Sequence, residues 1–223
     1  MEERFSRNIG TITIKEQEWL RDGSVFIAGA GSLGGYVAEY LLRMGVGEIR
    51  IADFGAFTED SFNRQFASTS DNVGKSKVLE LEKRIKNISP AVKLSAFNER
   101  LTKENAKQLI GSALVVVDSF ENPQNKLKLK EICEKLNLPL VYASLLTNGG
   151  IVATVFPESE KNQKLYDLSM EHTIKPSVTS MAAGVIAGIQ ATEVVNLLLG
   201  RPTLKDKMVV VDLNNYFMEI ADL

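Results

Sequence analysis

Ser24-Val-Phe-Ile-Ala-Gly-Ala-Gly-Ser-Leu-Gly34 is the stretch that decides the fold. Its first five residues form a short apolar run of strand length. Gly29, Gly31 and Gly34 punctuate a turn, and Leu33, Val37, Tyr40, Leu41 and Met44 then recur at helical spacing. The reading is strand, glycine turn, helix. Gly45 and Gly47 stop the helix, and Glu48-Ile-Arg-Ile-Ala-Asp53 makes the next strand, which closes a βαβ unit in about thirty residues.

Downstream the alternation continues. The polar segment from Phe54 to Val73 has no period and reads as a long loop or a set of short turns. A helix is predicted over Lys75–Ile88, ended by Ser89-Pro90, followed by a strand at Val92–Phe97 and a helix at Thr102–Ile110. Ala113–Asp118 is a fully apolar strand, Gln124–Leu136 a helix and Pro139–Ser144 another strand. Strands apolar on both faces suit a parallel sheet covered by helices. Ile151–Phe156 follows too closely for a helical crossover and must pair antiparallel. Residues 157 to about 177 form a polar crossing segment without a strong period, then comes a long apolar helix from Val178. Met208–Leu213 and Tyr216–Ile220 around Asn214-Asn215 give a hairpin. Upstream, Thr13-Ile-Lys-Glu16 is a capping box that starts a helix at about 13–22. The expected class is α/β: a Rossmann-like, mostly parallel sheet flanked by helices, with antiparallel strands in the C-terminal part, in one domain spanning 1–223.

Composition narrows the chemistry. Lys and Arg total 26 against 28 Asp and Glu, a formal charge of −2, so there is no basic excess of the kind that drives nucleic-acid binding. Cys133 and His172 are each the single residue of their type, which excludes an internal disulfide and the usual zinc cage. The start Met1-Glu-Glu-Arg-Phe5 is not that of a signal peptide, and Gln190, Glu193 and Asn196 interrupt the apolar run from Val178 to Leu199. A cytoplasmic protein with no membrane span is expected, working with carboxylate, amine, guanidinium and backbone groups.

The glycine loop lets backbone N–H groups approach phosphate at a helix N-terminus, and Asp53 stands where a carboxylate takes ribose hydroxyls. Asn63-Arg-Gln-Phe66 and, thirteen residues after Arg64, Lys77 add two cations suited to phosphoryl transfer with a pyrophosphate leaving group. Hydride transfer needs no such pair.

Taken together with Arg4-Phe-Ser-Arg7, Gly45-Val-Gly47, Asp53-Phe54, Val73-Gly-Lys-Ser-Lys77, Asp118 to Asn122 and Gly184 to Gly200, these pieces resemble the ThiF/MoeB/HesA superfamily, bacterial relatives of ubiquitin-activating enzymes. The resemblance runs from Arg4 to about Leu213. It implies an adenylyltransferase that uses ATP and Mg2+ to join AMP to the C-terminal Gly-Gly carboxylate of a small ubiquitin-like or sulfur-carrier protein. It further implies that Gly29, Gly31, Ser32, Gly34, Asp53, Asn63, Gln65 and Asp118 contact the nucleotide, that Arg64 and Lys77 act on the phosphates, and that Glu121 holds the metal. Arg7 matches an arginine that reaches the partner subunit's ATP, so a homodimer is expected.

The chain departs from the family pattern at Gly55, where a second Asp is frequent, at Ser61, where Asn is usual, at Ser32, where a glycine pairs with Gly31, and at Glu121, where the metal ligand is Asp. The extra methylene of Glu121 displaces its carboxylate, and Asp118 is the candidate to compensate. The zinc cysteines and the thioester cysteine of many relatives are missing. No zinc is therefore expected, and the reaction is expected to stop at the acyl-adenylate. Cys133 falls with Leu129 and Leu136 on an apolar helix face and is expected to be buried, and His172 to be an exposed loop residue. Gly184 and Gly188 are expected to serve packing, within the domain or across a dimer. The alternatives are a nucleotide-binding module with little turnover, adenylation of a peptide C-terminus or modified tRNA base, and a dinucleotide oxidoreductase supported only by the glycine loop and Asp53.

Overall fold

A computed structural model describes residues 2–171 and 177–223. Eight strands form one mixed sheet in the order β3-β2-β1-β4-β5-β6-β7-β8. The parallel half comprises β1 (Ser24–Ala28), β2 (Glu48–Ala52), β3 (Lys93–Phe97), β4 (Val115–Asp118) and β5 (Leu140–Leu146). Its central strands are buried end to end, which is why they read as unbroken apolar runs. The antiparallel half is β6 (Gly149–Val155), β7 (Lys207–Asp212) and β8 (Phe217–Asp222), with Thr147-Asn148 as the tight turn from β5.

Helices cover both faces. One core joins β1 and β2 to α2 (Gly34–Met44), α3 (Lys77–Ile88) and α7 (Ser180–Leu198) through Val37, Leu41, Leu81, Ile85, Ile186 and Val194. The other lies under α4 (Ala106–Ile110), α5 (Pro123–Leu136) and α6 (Asn162–Glu171), and contains Leu109, Leu129, Ile132, Cys133, Leu165 and Tyr166. Cys133 is thus buried, as its place beside Leu129 predicts. The capping box of Thr13 and Glu16 opens α1 (Ile14–Asp22) in both directions, Glu16 N–H to Thr13 Oγ1 and Thr13 N–H to Glu16 Oε2.

Three elements differ from the sequence expectation. The crossing segment contains α6: Leu165 and Tyr166 sit under it, and Tyr166 meets Tyr142 of β5 edge-on at 5.5 Å between ring centres. Its described apolar contact is a single pair of adjacent residues among polar ones, too little to register as a period. His172 lies outside the described residues. Residues Glu3–Asn8 form a 3-10 turn, and α4 begins at Ala106, after a turn in which Asn105 Oδ1 accepts from the Thr102 N–H.

By length and composition α7 could cross a membrane, yet half of that window is buried in the fold. The polar residues that interrupt it bind the sheet and a loop. Gln190 Nε2 donates to the Asp118 and Val141 carbonyls, at 2.8 and 2.9 Å. Glu193 Oε1 accepts from Thr154 Oγ1 and from the Thr203 and Leu204 N–H groups. Gly184 and Gly188 face α2, where an added Cβ would lie 3.8–3.9 Å from Tyr36 and Tyr40; they serve packing within the fold.

Candidate functional site

Strand order reverses between β1 and β4, and the crevice above their C-terminal ends is where an α/β sheet binds ligands. The glycine loop that follows β1 has two positions no side chain can take. Gly29 has φ +105°, and a Cβ on Gly34 would lie 1.9 Å from the Gly29 carbonyl oxygen. Among the described residues nothing lies within 4 Å of the Gly31 Cβ position, so this side of the loop is open to an approaching ligand. Among the described residues no side chain caps the N-terminus of α2, where Leu33 stands, and helix N-termini of this kind favour an anion.

Asp53 ends β2 and binds two loops together: Oδ2 accepts from the Ala30 N–H at 2.7 Å and Oδ1 from the Gly55 N–H at 2.6 Å. Each oxygen keeps a second lone pair for a sugar hydroxyl. Beside it opens a shallow, solvent-open cleft. Phe54, Leu101, Phe120 and Ile132 form apolar walls, with Glu99, Arg100, Asn125 and Lys128 around them. The Arg100 guanidinium stands 4.0 Å from the Phe54 ring centre. A flat apolar slot next to a ribose-type carboxylate suits a nucleoside.

Lys77 opens α3, its N–H bonded to the Gly55 carbonyl at 3.0 Å. A Cβ at Gly55 would lie 3.0 Å from Asp53 Oδ1 and 3.6 Å from Lys77 Nζ, so the ammonium and the Asp53 carboxylate flank the same backbone position. Arg64 is engaged within its own loop: Nη1 donates to the Asp60 carbonyl and to Asn63 Oδ1, and Nη2 lies 3.5 Å from Asp60 Oδ2. Asn63 Nδ2 in turn donates to the Val178 carbonyl just before α7, at 3.0 Å. Gln65 is buried, and its Oε1 has no hydrogen-bond partner among the described residues. Ser61, also buried, holds the 3-10 turn Glu59–Ser61 by accepting from the Thr58 N–H. Ser32 Oγ donates to Glu121 Oε1 at 3.0 Å, so the glycine loop reaches across to the turn after β4.

Two of the expected site residues do not line the cleft. Asp118, expected at the nucleotide and as a metal ligand in reserve, has no exposed surface: Oδ2 lies 3.3 Å from Lys126 Nζ and Oδ1 accepts from the Phe120 N–H. Burial pushes its carboxyl above the usual range, against the pull of Lys126. It supports the turn that carries Phe120 and Glu121. Arg7 is exposed and sits beside Asn8, whose Nδ2 bonds the Met44 carbonyl at the far end of α2. The eleven residues of α2, about 16 Å of helix, separate that end from its own glycine loop.

Phe54, Arg100, Leu101, Phe120, Asn125 and Lys128 were not singled out from the sequence as site residues. The available signal was topological: they follow the C-terminal ends of β2, β3 and β4, the edge on which Asp53 already lay.

The ThiF family model matches residues 5–223. The chain belongs to the ThiF family. The sulfur carrier protein ThiS adenylyltransferase of Escherichia coli is 31% identical over 209 residues, which cover 90% of this chain and 82% of that protein. The SAMP-activating enzyme E1 of Haloferax volcanii is 28% identical, covering 88% and 76%. Protein HesA, heterocyst, of Trichormus variabilis is 28% identical, covering 98% and 83%. Among solved structures, E. coli MccB with AMPCPP and MccA superposes with a TM-score of 0.85 at 19% identity, covering 99% of this ThiF-family chain and 71% of that one, and shows the shared fold.

Proposed function

We propose that this ThiF-family protein is an ATP-dependent adenylyltransferase that activates the C-terminal Gly-Gly carboxylate of a small sulfur-carrier or ubiquitin-like protein as an acyl-adenylate. The observation that carries the reading is the continuity of the open glycine loop, Asp53 and the apolar cleft along one edge of the sheet. Adenylyltransferases of such carriers among the curated relatives supply the reaction class.

The nucleoside lies in the Phe54/Phe120 slot with its sugar on Asp53, and the phosphates run along the glycine loop. A carrier carboxylate attacks the α-phosphorus, the bond to the β-phosphate oxygen breaks, and pyrophosphate leaves. No protein nucleophile is required; positioning and charge neutralisation carry the step. In this reading Lys77 neutralises the leaving group, and Arg64 joins it by exchanging its Asp60 contacts for phosphate oxygens. Among the described residues no three His, Cys, Asp or Glu side chains gather into a metal cage. A magnesium ion carried on ATP needs only one or two protein carboxylates, and exposed Glu121 meets that need. Bound there, magnesium would shield phosphate charge.

Two further elements follow. Arg7, a helix length from its own glycine loop, acts on the nucleotide of a second copy, which makes the homodimer the working unit. The acyl-adenylate passes to an external sulfur or amine donor, because the only thiol of this chain, Cys133, is buried and its pKa is pushed up by that burial.

ATP–pyrophosphate exchange tests the reading. Exchange should require a small protein ending in Gly-Gly and fall about 10²–10³-fold in Arg64→Ala and in Lys77→Ala. Exchange at the wild-type rate in both variants refutes their roles. ATP binding without exchange, whatever the Gly-Gly protein or peptide supplied, shows a binding module instead.

A further inference from the structure

We propose that Ser32 is a positioning residue that fixes the Glu121 carboxylate as a one-oxygen ligand for a divalent cation carried on the nucleotide phosphates. The proposal deepens the ATP reading and rests on it. The open side of the glycine loop and the uncapped end of α2 favour anions, yet an exposed carboxylate, Glu121, stands directly against that loop. Carboxylate and phosphate at such a site repel one another unless a cation lies between them.

The structure also holds that carboxylate in place. Ser119 N–H donates to the Ala28 carbonyl at 3.1 Å, and a Cβ at Gly29 would lie 3.2 Å from the Ser119 carbonyl oxygen, so the turn after β4 and the glycine loop are packed together at their base. At the other end of the turn, Ser32 Oγ donates to Glu121 Oε1 at 3.0 Å. Ser32 is 1% exposed, a fixed anchor, whereas an exposed glutamate has three rotatable bonds to order. The bond occupies Oε1 and leaves Oε2 for the cation. It also uses the one proton of the hydroxyl, so Ser32 cannot donate to a phosphate at the same time. The two roles therefore predict different losses. A serine that binds phosphate matters with or without metal; one that holds Glu121 matters only with metal.

Mn2+ serves as the probe. Its binding to the full chain with a non-hydrolysable ATP analogue is followed by electron paramagnetic resonance, and analogue binding without metal by calorimetry. Ser32→Ala and Ser32→Gly should each weaken Mn2+ about tenfold or more, the usual effect of losing a group that orients a metal ligand. Both should weaken metal-free analogue binding far less than they weaken Mn2+, and both should keep the wild-type far-ultraviolet circular dichroism, which certifies their folding. Glu121→Ala should lose more Mn2+ affinity, and adding Ser32→Ala to it should change nothing further. The proposal is overturned if the serine variants bind Mn2+ like wild type. It is equally overturned if they weaken metal-free binding as much, or if Ser32→Ala retains its full effect without Glu121. A wild-type protein that binds no analogue overturns the ATP reading instead.

Discussion

Lys126→Met probes the support beneath the site. Lys126 is 2% exposed, its Nζ lies 3.3 Å from Asp118 Oδ2, donates to the Ala143 carbonyl at 2.5 Å and stands 4.6 Å from the Tyr142 ring centre. Methionine keeps much of the stem volume but leaves Asp118, at 0% exposure, without its counter-charge. Removing one partner of a buried pair costs about 3–5 kcal/mol. For a chain of this length that lowers Tm by roughly 6–20 °C. The sign of the pH dependence follows from Asp118. Burial raises its folded pKa above the unfolded value, so the native state keeps the proton longer. Stability from this group is full below the unfolded pKa of about 3.9 and is lost as pH rises through the folded value. Without Lys126 the folded value rises further, so the deficit of the variant must be small near pH 4 and grow towards pH 8. Urea unfolding across that range measures it. Asp118→Asn added to Lys126→Met removes the stranded charge while keeping an acceptor for the Phe120 N–H, and should recover most of the loss at neutral pH. A loss under about 1 kcal/mol, a loss independent of pH, or a double variant no better than the single refutes the assignment.

Three other outcomes are expected. Gly34→Ala, whose Cβ would lie 1.9 Å from the Gly29 carbonyl, must distort the glycine loop and abolish ATP-analogue binding by calorimetry. Cys133, buried and with a raised pKa, should resist a thiol reagent at pH 8 in the native protein and titrate as one thiol only after denaturation. If Arg7 serves the neighbouring copy, Arg7→Ala and Lys77→Ala proteins, each inactive alone, should regain exchange when their subunits are mixed, in about a quarter of the sites, because only one site of each heterodimer has both residues; no recovery with subunit exchange demonstrated refutes the shared site.

The parallel half of the fold was legible because its signals are local. Ser24–Ala28 and Val115–Asp118 are buried on both faces and so carry no polar alternation, and Gly29 and Gly34 stand where backbone geometry forbids any other residue. The close spacing of Leu146 and Gly149 forced the antiparallel turn. The crossing helix was not legible, since Leu165 and Tyr166 are ordinary residues until Tyr142 is known to lie opposite them. The burial of Asp118 was hidden for a related reason. A strand-end carboxylate reads as a ligand, and only the packing of α5 brings Lys126, eight residues later, to its side. The cleft walls were hidden because Phe54, Leu101 and Phe120 come from three separate loops, and no spacing in one dimension encodes their meeting.

The same separation explains how few bonds assemble the site. Asp53 joins the glycine loop to the segment after β2 through two backbone N–H groups, Ser32 joins it to the turn after β4, and Asn63 joins the Arg64 loop to the residue at 178 that precedes α7. Each junction is one side chain spanning segments far apart in sequence. Groups joined in series share their ordering cost, so losing any one loosens the neighbours it was holding as well as the contact itself. Substitutions at Ser32, Asp53 and Asn63 must therefore combine non-additively in affinity for the metal-loaded nucleotide, whereas Thr13, capping α1, should add independently to each of them. The glycine loop is thus a hub fastened by side chains from two neighbouring loops.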